Sequence, residues 1–207
     1  YAQPNYIKYA LKIPNDEFYG IQWHYKAMNL ENAWDIEDGT TNPVTVAVVD
    51  TGLLAHPDLE GVNIGGYDFI SDTGTAGDGN GRDANPTDIG GDSGFHGGHV
   101  AGTVAARTNN NSGVAGVSWG AKIVPVRVLG NGGGTIADII DGTLWAGGES
   151  ISGVPSNPNP AKVINLSLGG EGPCSAAEEE AFTTLKNKGV VVVVAAGNDN
   201  DDAGFFS

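Results

Sequence analysis

The chain has 207 residues and sets 10 Lys+Arg against 25 Asp+Glu, a formal net charge of −15. A chain this acidic is a poor partner for nucleic acid or an anionic membrane surface, because like charges repel; it suits a secreted, soluble protein or one that holds cations. With 40% hydrophobic and 17% charged residues it is not a disordered polymer, and its length suits one α/β domain or slightly less than one large one.

The first strand-like run is 44–49 (VTVAVV), bounded by Asn42-Pro43 and by Asp50-Thr51-Gly52. It is β-branched and does not alternate, so it reads as a strand buried on both faces. A helix is expected over 99–107, and a second buried strand over 123–129. Residues 135–146 open with Thr135 three before Asp138 and stop at Gly147-Gly148, a helix with a cap at each end. A third strand follows over 163–168. Residues 175–188 place Ser175 three before Glu178 and finish in Lys186, Lys188 and Gly189, so the end charges complement the helix dipole. The last run, 190–196, reads as a fourth buried strand. It is the longest apolar stretch and far too short to cross a membrane. Strands alternating with helices define an α/β protein: a parallel sheet with helices on both faces. The 33 glycines demand many tight turns and close backbone approaches.

In such sheets ligands sit beyond the carboxyl ends of the strands. Asp50 follows the first strand. Residues 167–170 (SLGG) follow the third. Asn198 follows the fourth, in Ala195-Ala196-Gly197-Asn198. His96 opens the segment His96-Gly97-Gly98-His99-Val100-Ala101-Gly102-Thr103. Each alone is most simply a cap or a turn residue. Four of them at the strand and helix ends of one sheet point to a single site.

These segments, in this order, resemble the subtilisin-like serine proteases, and the likeness spans roughly residues 14–200. Val-Val-Asp50-Thr-Gly resembles the family's aspartate motif, the His96 segment its histidine motif, Ser167-Leu168-Gly169 its substrate strand, and Asn198 its oxyanion residue. The resemblance implies endopeptidase chemistry on polypeptide substrates. His96 would be the general base, oriented by Asp50, and the Asn198 amide would donate to the oxyanion. The backbone of Ser167, Leu168 and Gly169 would pair with an extended substrate, with Gly130 and Gly132 on the other side of the groove. Two departures stand out. Gly98 replaces the usual Thr. The family's Gly-Thr-Ser-Met-Ala nucleophile segment is missing: Ser167 belongs to the substrate strand and Ser207 has the wrong context. The expectation is therefore residues 1–207 as the N-terminal part of a peptidase domain, incomplete at its C-terminus, inactive alone, and partnered by the missing part. The rival readings are a pseudoprotease that keeps the peptide groove and an unrelated calcium-binding adhesion domain.

Cys174 is the chain's one cysteine, so no internal disulfide is available. In a secreted protein an odd cysteine suggests a partner elsewhere; similar secreted subtilases place that partner in the C-terminal part. Gly116-Val-Ser118-Trp-Gly120 matches a nucleophile-elbow pattern. No His follows it and no strand-like run precedes it, so it reads as a turn.

Calcium is the expected cofactor, at two places. Asp72, Asp78, Asn80 and Asp83 lie among many glycines in 72–92. The string from Asp78 fails as an EF-hand, with Ile89 where the closing Glu belongs, but an irregular oxygen cage is open to it. A second cage rests on the resemblance. It takes carboxylates from Asp16 and Asp58, the side chain of Asn110, and backbone carbonyls of Arg107, Ser112 and Val114. His24, His56 and His99 are expected to be structural, and no zinc site is expected.

Overall fold

The computed structural model of the chain describes residues 4, 12–170, 172–198 and 200; Ser207 lies outside them. The helices are α1 (Trp23–Ala27), α2 (Leu30–Trp34), α3 (Thr73–Ala76), α4 (His96–Ala105), α5 (Ile136–Ala146) and α6 (Ala176–Asn187). The strands are β1 (Thr45–Asp50), β2 (Tyr67–Asp68), β3 (Lys122–Arg127), β4 (Val163–Leu166) and β5 (Val191–Val194). They form one sheet in the order β2-β3-β1-β4-β5. Every pairing is parallel.

β1 runs through the middle and is buried on both faces. Ala47 and Val49 pack with Trp145 and Ala146 of α5 and Leu185 of α6. Val46 and Val48 pack with Ala101 and Ala105 of α4. This is the helix-on-both-faces layering that the β-branched run implied, since a strand without polar alternation needs cover on each side. Both predicted caps form. The Thr135 side chain accepts from the Asp138 N–H, and Ser175 and Glu178 make a full capping box at α6. Such caps contribute about 1 kcal/mol each.

Two features differ from the sequence expectation, and a third lies where the sequence pattern set none. First, α4 begins at His96, three residues before the expected start, and takes Gly97 and Gly98 into its first turn. A Cβ on Gly97 would lie 2.3 Å from the Gly52 carbonyl oxygen. The helix uses that bare position to abut the end of β1, and this contact overrides glycine's poor helix propensity. Second, β5 is not buried. Val191, Val193 and Val194 are 56%, 50% and 47% exposed. β5 is the edge strand, and no described element packs over it beyond β4 and α6. Third, the segment before β1 is structured. Tyr19, Tyr25 and Trp34 make a small third core with Ala115. Tyr25 donates to the Ala115 carbonyl at 2.7 Å, and Trp34 Nε1 donates to the Val117 carbonyl at 2.8 Å.

Candidate active site

The carboxyl ends of β1, β3 and β4 open on one side of the sheet. Asp50 is the last residue of β1, fully buried, in register with Arg127 at the end of β3. His96 is the first residue of α4. Its Nδ1 lies 2.8 Å from Asp50 Oδ1 and 3.0 Å from Oδ2. Oδ1 also accepts from the Thr51 N–H at 2.7 Å. A buried carboxylate on Nδ1 selects the tautomer protonated there and leaves Nε2 as the basic nitrogen. The His96 side chain is 43% exposed. The pair is thus one buried anion and one imidazole open to a cleft, separated by hydrogen-bonding distance.

That cleft has a volume of about 610 Å³ and is lined by His96, Gly132, Ser167, Leu168, Gly169 and Phe182, among others. Ser167, Leu168 and Gly169 leave β4 directly into it. Gly132 has φ +75° with nothing within 4 Å of a Cβ position, so its backbone is bare towards solvent. Gly130 stands apart from the expected groove. A Cβ there would lie 2.1 Å from the Thr75 carbonyl oxygen, so its bareness serves packing against α3. Asn198 follows β5 and is exposed; it is not among the residues lining the cleft. At Gly98 a Cβ would meet nothing within 4 Å, so no steric pressure accounts for glycine there. Ser118 of the rejected elbow sits in a loop, its Oγ 2.2 Å from the Cβ position of Gly39, well away from the cleft lining. Cys174 is exposed and unpaired.

The two acidic sets behave differently. Asp16 and Asp58 are both about 5% exposed. The Asp16 carboxylate accepts from the Asn109 and Asn110 amides at 2.9 and 3.4 Å. Asp58 accepts from Asn110 Nδ2 at 3.0 Å and from the Val114 N–H at 2.8 Å, and its carbonyl accepts from the Arg107 N–H at 2.8 Å. The Asn110 side-chain Oδ1 accepts from the Ser112 N–H at 2.8 Å. The three expected pieces therefore come together. In 72–92 Asp78, Asn80 and Asp83 meet, the Asn80 N–H donating to Asp78 Oδ1 at 3.3 Å, but each carboxylate there is engaged by the chain's own donors. Asp72 caps α3. Asp78 pairs with Arg127 at 2.8 Å. Asn80 Nδ2 donates to Asp83 at 2.7 Å, and Asp83 also accepts from the Asn85 N–H at 2.7 Å. Among the described residues no group of three or more His, Cys, Asp or Glu gathers as a metal cluster.

Sequence reasoning missed Thr51, Asp88 and Arg127, all buried beside the Asp50–His96 pair. Thr51 Oγ1 donates to Asp88 and accepts from the Gly97 N–H at 2.9 Å. Arg127 donates to Asp68, Asp78 and the Ala76 carbonyl. The signal for Arg127 is a lone cation ending a buried apolar strand, a position that requires an anionic partner.

Comparison with known proteins follows the same line as this geometry. The model of the Subtilase family matches residues 41–205, and the chain belongs to that family. It is 48% identical over 211 residues to an extracellular protease of Xanthomonas campestris pv. campestris, covering 93% of this chain and 36% of that protein. It is 46% identical over 224 residues to an extracellular basic protease of Dichelobacter nodosus, covering 98% of this chain and 37% of that protein. Among solved structures, one described as proteases from Pseudoalteromonas arctica superposes with a TM-score of 0.90 at 49% identity, covering 94% of this chain and 62% of the other. Fervidolysin from Fervidobacterium pennivorans, described as a keratinolytic enzyme related to subtilisin, superposes with a TM-score of 0.68 at 33% identity, covering 92% of this chain and 26% of that one. The chain spans little more than a third of the length of the two curated relatives. No described helix is long and apolar enough to cross a membrane.

Proposed function

We propose that the chain is the N-terminal part of the peptidase domain of a secreted serine endopeptidase of subtilisin type. The observation that carries this reading is the imidazole of His96 held through Nδ1 on buried Asp50, 2.8 Å away, with the ring open to a peptide-sized cleft. In the whole enzyme Nε2 takes the proton from a serine supplied by the C-terminal part and returns it to the leaving amine. Asp50 stays ionised, fixes the ring and stabilises the imidazolium. Ser167, Leu168 and Gly169 pair with the extended substrate backbone, Gly132 borders it, and the Asn198 amide stabilises the oxyanion. The exposed valines of β5 support a further strand or helix from the same domain packing there. Cys174, exposed and unpaired, is free to bond a cysteine of that part.

Calcium fits the Asp16–Asp58 set. Two buried carboxylates whose hydrogen-bond partners among the described residues are all neutral N–H groups carry uncompensated charge, and a hard cation with oxygen ligands answers it. Asp16, Asp58 and Asn110 would hold the ion, with carbonyls of Arg107, Ser112 and Val114 completing the shell.

Mixing or co-expressing the chain with a C-terminal subtilase segment carrying the serine tests the reading. The 207 residues alone are expected to hydrolyse no peptide, and the reconstituted pair to do so. In that pair Asp50→Asn is expected to lower turnover by about 10⁴-fold, and Asn198→Ala by about 10²–10³-fold. Hydrolysis by the isolated chain that depends on His96 would refute it.

A further inference from the structure

Asp50 and Thr51 are adjacent at the end of β1, and His96 and Gly97 are adjacent at the start of α4. The structure joins them by two parallel contacts: Asp50 to the His96 ring, and Thr51 Oγ1 to the Gly97 N–H at 2.9 Å. The second contact answers a need of the helix. The first four N–H groups of a helix have no acceptor within it, and the residue before α4, Phe95, supplies none from its side chain. Thr51 supplies one from another element.

A hydroxyl has one proton, and where that proton goes decides where its lone pairs point. Thr51 gives its proton to Asp88 Oδ2, which leaves the oxygen to accept from Gly97. Asp88 Oδ1 is held in turn by the Gly90 N–H at 2.8 Å. Thr51 and Asp88 are 4% and 2% exposed, so water does not compete for these bonds. The approach is close enough only because residue 97 is glycine: a Cβ would lie 2.3 Å from the Gly52 oxygen and 3.2 Å from Thr51 Oγ1. The segment carrying Asp88 is fixed over the strand end as well, because the Leu53 N–H donates to the Pro86 carbonyl at 2.9 Å.

We infer that Thr51, oriented by Asp88, is a positioning residue for His96. The Asp50 carboxylate holds the half-exposed ring at one atom, Nδ1, and leaves the backbone at the helix start to be held by other contacts. Two contacts from neighbouring residues fix its rotation, and a reacting group must be held to about half an ångström to be useful. This inference rests on the Asp50–His96 reading above. It assigns to Thr51 and Asp88 a role that touches no substrate.

The test uses the isotope-labelled 207-residue chain and the proton on His96 Nδ1, observed by NMR as a downfield, slowly exchanging resonance. Thr51→Ser keeps the oxygen and is expected to keep the resonance and its exchange rate. Thr51→Val keeps the shape and removes the oxygen. It is expected to exchange that proton about tenfold faster or to lose the resonance, the factor carried by one hydrogen bond, with circular dichroism showing the chain folded. Wild-type exchange in folded Thr51→Val overturns the inference. Should Thr51→Val fail to fold, Asp88→Ala is read in the same way: faster exchange supports orientation by Asp88, and wild-type exchange overturns it. A parent chain without the resonance would sink the Asp50–His96 pairing itself, an outcome distinct from a failure at Thr51.

Discussion

Two acidic regions of the molecule solve the same electrostatic problem with different materials. Around α3 the carboxylates of Asp68 and Asp78 meet Arg127, and those of Asp138 and Asp141 meet Arg82 at 2.6 and 2.7 Å. Around the 107–114 loop, Asp16 and Asp58 are as deeply buried but make no ion pair among the described residues. The first region carries its cations in the chain. The second shows none among the described residues, and there calcium is the proposed counter-charge. A run of acidic residues among glycines is thus ambiguous until the fold shows whether a Lys or Arg reaches it.

The largest effect expected from this contrast is at Arg127, 1% exposed and bonded to two carboxylates and a carbonyl. Arg127→Met removes the cation and leaves both anions in place, which costs about 3–5 kcal/mol when the pair is buried. Thermal or urea unfolding measures it. Calcium is expected not to restore the loss. If added calcium did restore it, Asp68 and Asp78 would form a second cage and the contrast would be broken.

Chelation is the next test. An ion that binds only the folded chain stabilises by mass action, about 2.7 kcal/mol when present at a hundred times its dissociation constant. Adding a chelator to calcium-loaded protein is expected to lower Tm by the corresponding amount. Asp58→Asn is expected to abolish that response while Asp78→Asn leaves it intact. A chelator response surviving in Asp58→Asn would move the ion elsewhere, and no response in the parent chain would remove calcium from the account.

How much of this was legible beforehand follows from the range of the interactions. The four long strands, α5 and α6 were legible because β-branched runs and capping residues are local signals. Their boundaries shifted by at most two residues, as frayed ends do. Asp50 and the 167–170 segment were legible because each follows a strand that the local pattern defines, and His96 because of its segment's resemblance to the family's histidine motif. The start of α4 was not, because Gly97 is tolerated through a contact with Gly52, 45 positions away. Nor was the commitment of Asp78 to Arg127, 49 positions apart. β5 was misread because a run of valines records apolar character and not what covers it.

Effects are expected with pH as well, and they too separate the groups of the Arg-held region. Burial pushes the Asp68 carboxyl up from 3.8 to about 6, against the opposing pull of the Ile70 N–H and Arg127. In that window the folded chain binds a proton that the unfolded chain does not, so this group makes the fold more stable as pH falls from about 6 towards 3.8. Asp138 runs the other way. Burial would raise it, but Arg82 and Ser71 outweigh that and hold it below 3.8. Its contribution is present above 3.8 and is lost as pH falls further, through its lowered value. Unfolding measured across this range should therefore show Asp68→Asn losing part of the gain on mild acidification and Asp138→Asn losing part of the fall at stronger acid. If Asp68→Asn instead steepened the gain, Arg127 would hold Asp68 ionised throughout. The cation would then outweigh burial at that carboxylate, and the Arg-held region would be more firmly paired than its desolvation implies.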